Sequence, residues 1–308
     1  MRGFARRPGE LAHGARLADR TPHWILFDRS AHGLACDHEP MPELRVEGGS
    51  LFYQVQGRGP AVTLLHGFTQ KGESWQEVGA HLGVGWTVIV PDLRGHGRTT
   101  VPPESDHSQQ AAAADLRRLW NHLGVTGSHL VGYSMGGRLA LHVAATSAQD
   151  IRSLVVISGH AGLSEPERAR RREADSALAK HILTVGIERF AREWGEQELF
   201  SGLLRRGPEY TEMLVAIRRA NRPESLAASL RDMGAGAMVS VWDDLRSFDR
   251  PALILAGAED RRYRAFAERL ASTLPRARLE LVEEAGHALP QERPEEVGLA
   301  IGRFLRES

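Results

Sequence analysis

The chain has 308 residues, 42% of them hydrophobic, and its 39 basic residues balance 39 acidic ones. That length suits one large α/β domain carrying an insertion, or two small domains, and a zero net charge argues against nucleic-acid or membrane-surface binding. Cys36 is the only cysteine, which excludes an intrachain disulfide and a thiolate metal cage, and no apolar run approaches the roughly 18 residues of a membrane helix.

Residues 1–40 are rich in Arg, His, Gly and Pro, with Trp24-Ile25-Leu26-Phe27 as their apolar cluster. They lack a contiguous secretory core, and Glu10, Asp19 and Asp28 speak against a transit peptide, so a cytoplasmic enzyme is expected. The segment reads as a flexible extension, or as sequence upstream of a true start at Met41. The recognisable fold begins there.

From Met41 onward, short apolar runs alternate with helical patterns. Strands are expected at Leu51–Val55, Ala61–Leu65 and Thr87–Val90. Leu116, Leu119, Trp120 and Leu123 then recur at helical spacing, with Gly124 as the stop. Further strands are expected at His129–Val131, Leu154–Ile157, Ala252–Ala256 and Leu279–Val282, and a helix with Pro294 in its first turn runs to Arg306. Continuous Val, Ile and Leu runs suit strands buried on both faces, and the βαβα order implies a mostly parallel sheet. Residues 160–248 break the rhythm, being charged and helix-like throughout. They are expected to form a helical lid over a core made of 41–159 and 249–308, at the strand ends where open α/β sheets bind ligands.

Gly132-Tyr133-Ser134-Met135-Gly136 sits where a strand hands over to a helix, the G-x-S-x-G pattern of a nucleophile elbow. A serine nucleophile needs a base, and the base an orienter. Asp260 follows the strand ending Leu255-Ala256-Gly257, and His287 follows the strand Leu279–Val282. Both therefore fall on loops at the edge where Ser134 is displayed, making Ser134, His287 and Asp260 the expected triad; Glu259 is the alternative acid. The abrupt turn at Leu65-His66-Gly67-Phe68 lets the N–H groups of Phe68 and Met135 form an oxyanion hole. His66 and the loop Asp92–Arg98 read as structural bracing. No H-E-x-x-H, paired C-x-x-C or G-K-[ST] ending is present, so neither a metal nor a nucleotide cofactor is expected.

On Leu65–Phe68, Asp92–Gly97 and Gly132–Gly136, the chain from about Met41 to Ser308 resembles an α/β-hydrolase. Further stretches resemble one family within it, the 2-succinyl-6-hydroxy-2,4-cyclohexadiene-1-carboxylate synthases of menaquinone biosynthesis. These stretches are Gly136-Gly137-Arg138, Ser158–Leu163 with Glu167, Arg168 and Arg171, Gly186–Phe190 leading to Trp194 and Leu199-Phe200, and Gly234–Met238 with Val241-Trp242. Gly195, Glu198 and Gln70-Lys71 depart from that family's pattern.

The resemblance implies a cofactor-free lyase that expels pyruvate from a small tricarboxylate. Such a substrate calls for planar, permanently charged donors. Arg138, one turn into the helix after Ser134, leans back toward the mouth of the site; Arg171 and Arg218 match the family's substrate-binding arginines, and Tyr133 and Trp194 resemble its pocket residues. The alternative within enzymes is a serine carboxylester or carbon–carbon bond hydrolase acting through an acyl-enzyme. Dehalogenases and epoxide hydrolases place aspartate where Ser134 stands, and a non-catalytic receptor that keeps the fold is the alternative outside enzymes.

Overall fold

The computed structural model describes residues 43–308, so the expectations for the 1–40 extension and for Met41 lie outside the described residues. Eight strands form one sheet: β1 (Glu43–Val46), β2 (Gly49–Gly57), β3 (Ala61–Leu65), β4 (Thr87–Pro91), β5 (Ser128–Tyr133), β6 (Ile151–Ile157), β7 (Ala252–Gly257) and β8 (Ala277–Val282). Their order is β1-β2-β4-β3-β5-β6-β7-β8. The hairpin of β1 on β2 and the β2–β4 pair are antiparallel, and every pair from β4 to β8 is parallel. This is the α/β-hydrolase architecture expected from the sequence.

Alternate residues of the central strands feed two cores, which is why these strands read as unbroken apolar runs. Leu130, Val156 and Ile254 face one core, shared with Leu116, Leu119 and Trp120 of α2 (Gln109–His122) and Leu139 of α3 (Met135–Thr146). Val131, Val155 and Leu253 face the other. There they meet Val78 of α1 (Gln76–His81) and, near the chain end, the helix Pro294–Arg306 with Val297, Ile301 and Phe304.

Between β6 and β7 the chain is helical. It runs through α4 (Glu165–Gly195), a 3-10 segment (Glu198–Arg206), α5 (Pro208–Arg219) and α6 (Pro223–Met233). Gly186 adopts φ 73° and ψ 170°, so α4 is two helices meeting at a break. A Cβ there would meet nothing within 4 Å, which leaves backbone conformation as the reason for glycine. Ile182, Phe190 and Trp194 of α4, Phe200 and Leu203, Leu214 of α5, and Leu226 and Leu230 of α6 share a third apolar cluster. Beyond it α7 (Arg261–Thr273), α8 (Leu289–Glu292) and α9, the Pro294–Arg306 helix, complete the described chain.

Loops at the strand ends are fixed by buried polar groups. Asp92 accepts the N–H groups of Gly72 at 2.7 Å and Arg98 at 2.8 Å. Nε2 of His66 accepts the Leu93 N–H at 2.9 Å. Arg94, 2% exposed, grips Asp115 of α2 through two bonds of 2.5 and 2.8 Å and donates to the carbonyls of Asp106 and Glu47. Such a forked pair is costly to break from one side, because the survivor stays buried and charged. Asp115→Ala is expected to lower the unfolding free energy by about 3–5 kcal/mol, read from urea denaturation.

Candidate active site

β5 ends at Tyr133, and the chain reverses into α3 through Ser134, whose φ of 51° and ψ of −105° lie outside the ordinary regions for a side-chain-bearing residue. Glycine flanks this turn out of steric need. A Cβ on Gly132 would lie 2.2 Å from the Gly136 carbonyl oxygen, and one on Gly136 would lie 2.2 Å from that of Leu65. The Gly136 N–H donates to the His66 carbonyl at 3.1 Å, which bolts the turn to the loop after β3. The serine hydroxyl therefore stands proud of the sheet edge on a rigid base.

His287 Nε2 lies 3.1 Å from Ser134 Oγ, and Nδ1 lies 3.0 Å from Asp260 Oδ2. His287 is 3% exposed. Asp260 also caps α7, its Oδ1 accepting the Tyr263 N–H at 3.1 Å, so the carboxylate is held from two sides. Glu259 points elsewhere and pairs with Arg205 at 2.6 Å, leaving Asp260 as the acid in contact with the imidazole. The N–H groups of Phe68 and Met135 donate to no acceptor among the described residues. The loop carrying Phe68 is steadied by Gln70, whose Oε1 accepts the Gly67 N–H at 3.2 Å.

A cavity of about 220 Å³ opens over Ser134. Every site residue anticipated from the sequence lines it except Asp260, which stands behind His287. Trp194 packs edge-on against Phe68, with ring centroids 5.4 Å apart. Tyr133 is buried beneath the elbow, and burial holds its phenol well above the usual range.

The three arginines differ. Arg171 bonds Asp175 at 2.7 Å and is more than one-third exposed, so its charge is already matched. Arg138 is 7% exposed and Arg218 5%. Neither forms a salt bridge among the described residues. Arg138 donates to the Met233 carbonyl at 3.1 Å while its Nε has no partner. Arg218 stands over the Phe200 ring, 5.6 Å from its centroid, with Nη1 unpartnered. Burial lowers the Arg138 guanidinium from its ordinary value and pushes that of Arg218 down to about 10, which leaves Arg218 charged at neutral pH. Two buried guanidinium groups that form no salt bridge among the described residues thus share the cavity wall with a hydroxyl and an imidazole.

A family model described as the alpha/beta hydrolase fold matches residues 60–294. The chain belongs to the α/β-hydrolase family. A Bacillus subtilis (strain 168) protein provisionally named 2-succinyl-6-hydroxy-2,4-cyclohexadiene-1-carboxylate synthase is 34% identical over 259 residues, spanning 82% of this chain and 94% of its own. The solved structure of MenH from S. aureus superposes with a TM-score of 0.78 at 29% identity, covering 83% of this chain and 98% of that one. A thermophilic esterase from Thermogutta terrifontis, solved with malate bound, also reaches 0.78 at 29% identity, over 86% of this chain and 98% of its own.

Other wall residues of this α/β-hydrolase were not anticipated from the sequence. Tyr263 sets its ring 4.2 Å from the His287 imidazole, centroid to centroid. Its signal was the N-cap spacing Asp260-x-x-Tyr263, which fixes where the first helical turn places a side chain. Ser229 and Gln197 also line the cavity, and nothing in their local sequence marks them.

Proposed function

We propose that this enzyme is a lyase that eliminates pyruvate from 2-succinyl-5-enolpyruvyl-6-hydroxy-3-cyclohexene-1-carboxylate to give 2-succinyl-6-hydroxy-2,4-cyclohexadiene-1-carboxylate. The observation that carries the reading is the pair of buried guanidinium groups of Arg138 and Arg218 on the cavity wall, neither in a salt bridge among the described residues. Two such charges suit the carboxylates of this substrate, and an ordinary ester would leave them uncompensated. The names borne by the Bacillus and Staphylococcus relatives point the same way.

In this mechanism His287, oriented by Asp260, takes the Ser134 proton, and the alkoxide removes the ring proton beside the succinyl ketone. The N–H groups of Phe68 and Met135 stabilise the enolate oxygen, since donors aimed at a developing oxyanion serve an enolate as well as a tetrahedral centre. Collapse of the enolate breaks the ring C–O bond, and the enolpyruvyl group departs as pyruvate once reprotonated. Tyr133 and Trp194 wall the ring, Arg138, Arg171 and Arg218 hold carboxylates, and residues 160–248 act as the lid. No water, metal or cofactor enters. Release of pyruvate, coupled to lactate dehydrogenase, tests the reaction directly. No NADH oxidation with the enolpyruvyl substrate would refute it.

The likeness to the Thermogutta esterase favours one second reading, acyl transfer on Ser134. A burst of nitrophenol from an activated ester, followed by steady turnover and no pyruvate from the cyclohexene, would establish that instead.

Gly195 offers a gentler probe of the anion site. A Cβ there would fall 2.6 Å from Nη1 of Arg218. Gly195→Ala is expected to displace that guanidinium and raise KM several-fold, on the order of 1 kcal/mol, while kcat changes less.

A further inference from the structure

The last turn of α8 carries an acid that the proposed chemistry leaves unused. Glu292 is 7% exposed, and its carboxylate straddles the catalytic loop. Oε2 accepts the Gly286 N–H at 2.8 Å, and Oε1 accepts the Ala288 N–H at 3.0 Å. These are the amides of the residues immediately before and after His287. One rigid carboxylate thus pins both ends of the residue whose imidazole must meet Ser134 and Asp260.

The carboxylate is also walled in from the segment between α4 and α5. A Cβ on Gly202 would lie 2.0 Å from Oε2, so any larger residue there must displace the carboxylate. Arg205 brings its guanidinium to 4.0 Å from the same oxygen, while donating to the Glu284 carbonyl at 2.8 Å and to Glu259, the neighbour of Asp260. Burial of an acid is unfavourable unless its lone pairs are satisfied. Here two amides and one nearby cation satisfy them, and both amides belong to the histidine loop.

We propose that Glu292 is a positioning residue for His287, setting the imidazole's height and tilt by holding the Gly286 and Ala288 amides at fixed distance. It touches no reacting atom. Its effect reaches the chemistry through the 3.1 Å contact of His287 with Ser134, which a small displacement weakens steeply. The inference rests on His287 serving as base to Ser134 and is independent of which substrate the cavity takes.

The test is the second-order rate at which a fluorophosphonate labels Ser134, a reaction that needs the activated serine and not the natural substrate. Glu292→Gln keeps the shape, yet its NH2 group faces an amide N–H that needs an acceptor. Labelling is expected to fall tenfold to hundredfold, on the order seen for small misplacements of a catalytic group. The melting temperature should stay within a few degrees of the parent, and hydrogen exchange at the Gly286 and Ala288 amides should accelerate. Gly202→Ala supplies the complementary variant, retaining the acid but pushing it off the amides, and should lose labelling in the same direction. It also serves if Glu292→Gln does not fold. Folded variants labelled within twofold of the parent would overturn the proposal while leaving the triad reading intact. A parent that fluorophosphonate does not label at residue 134 would overturn both.

Discussion

Ser134→Ala is expected to abolish pyruvate release to within a small residue, a loss in kcat on the order of 10³-fold or more, with KM little changed. The elbow accommodates alanine at that φ no worse than serine, and among the described residues the Ser134 side chain bonds only His287, so the fold should persist. In the proposed mechanism, removing the hydroxyl deletes the atom that His287 activates and leaves Arg138 and Arg218 untouched. Turnover surviving within tenfold of the parent would assign the proton abstraction to another group, His287 acting directly being the first to examine. Circular dichroism and an unchanged KM separate a chemical loss from a structural one.

The second large effect concerns Arg138 and Arg218, and it carries an unusual sign pattern. Arg138→Met and Arg218→Met should each cost on the order of 10²-fold in kcat/KM, within the range of about 2–5 kcal/mol for removing one side of a buried charge contact. The free protein, by contrast, should melt no lower, and Arg218→Met should melt higher. Its guanidinium is buried with no counterion among the described residues, a cost that methionine of similar length relieves. A variant that loses both stability and activity would mean that these arginines hold the fold together rather than the ligand. Arg171→Met should have a smaller effect, because Asp175 already neutralises it.

How far the sequence could be read follows from what each residue faces. β3, for which Ala61–Leu65 was expected, has those bounds, because all its residues are buried and the apolar run is the strand. β2 extends from Gly49 to Gly57, beyond the Leu51–Val55 run, since its far end, residues 54–57, is half-exposed or exposed while its hydrogen bonding to β4 continues. β1 was not anticipated at all. Glu-Leu-Arg-Val on a sheet edge buries only Val46, so no apolar run announces it. The final helix was legible to the residue, Pro294 and Arg306 marking its ends.

The site divides the same way. Ser134, Asp260 and His287 could be found because each occupies the loop directly after a strand, and parallel strands bring such loops to one edge. Ser229 on α6 and the clamp of Glu292 on the histidine loop depend on how separate elements pack or on the exact turn of a loop, which spacing alone does not encode. The break at Gly186 was hidden for a related reason. Helical neighbours on both sides conceal a single residue whose backbone angle departs from theirs.

Asp260 is at once the cap of α7 and the partner of His287. That helix is seated on the sheet by Ala267 and Leu270, well away from the chemistry. Loosening that seat would therefore reach the imidazole as a rotation of its acid before any global melting began. Heat should accordingly silence this catalyst while spectroscopy still registers a native molecule, with the first casualty being alignment rather than architecture.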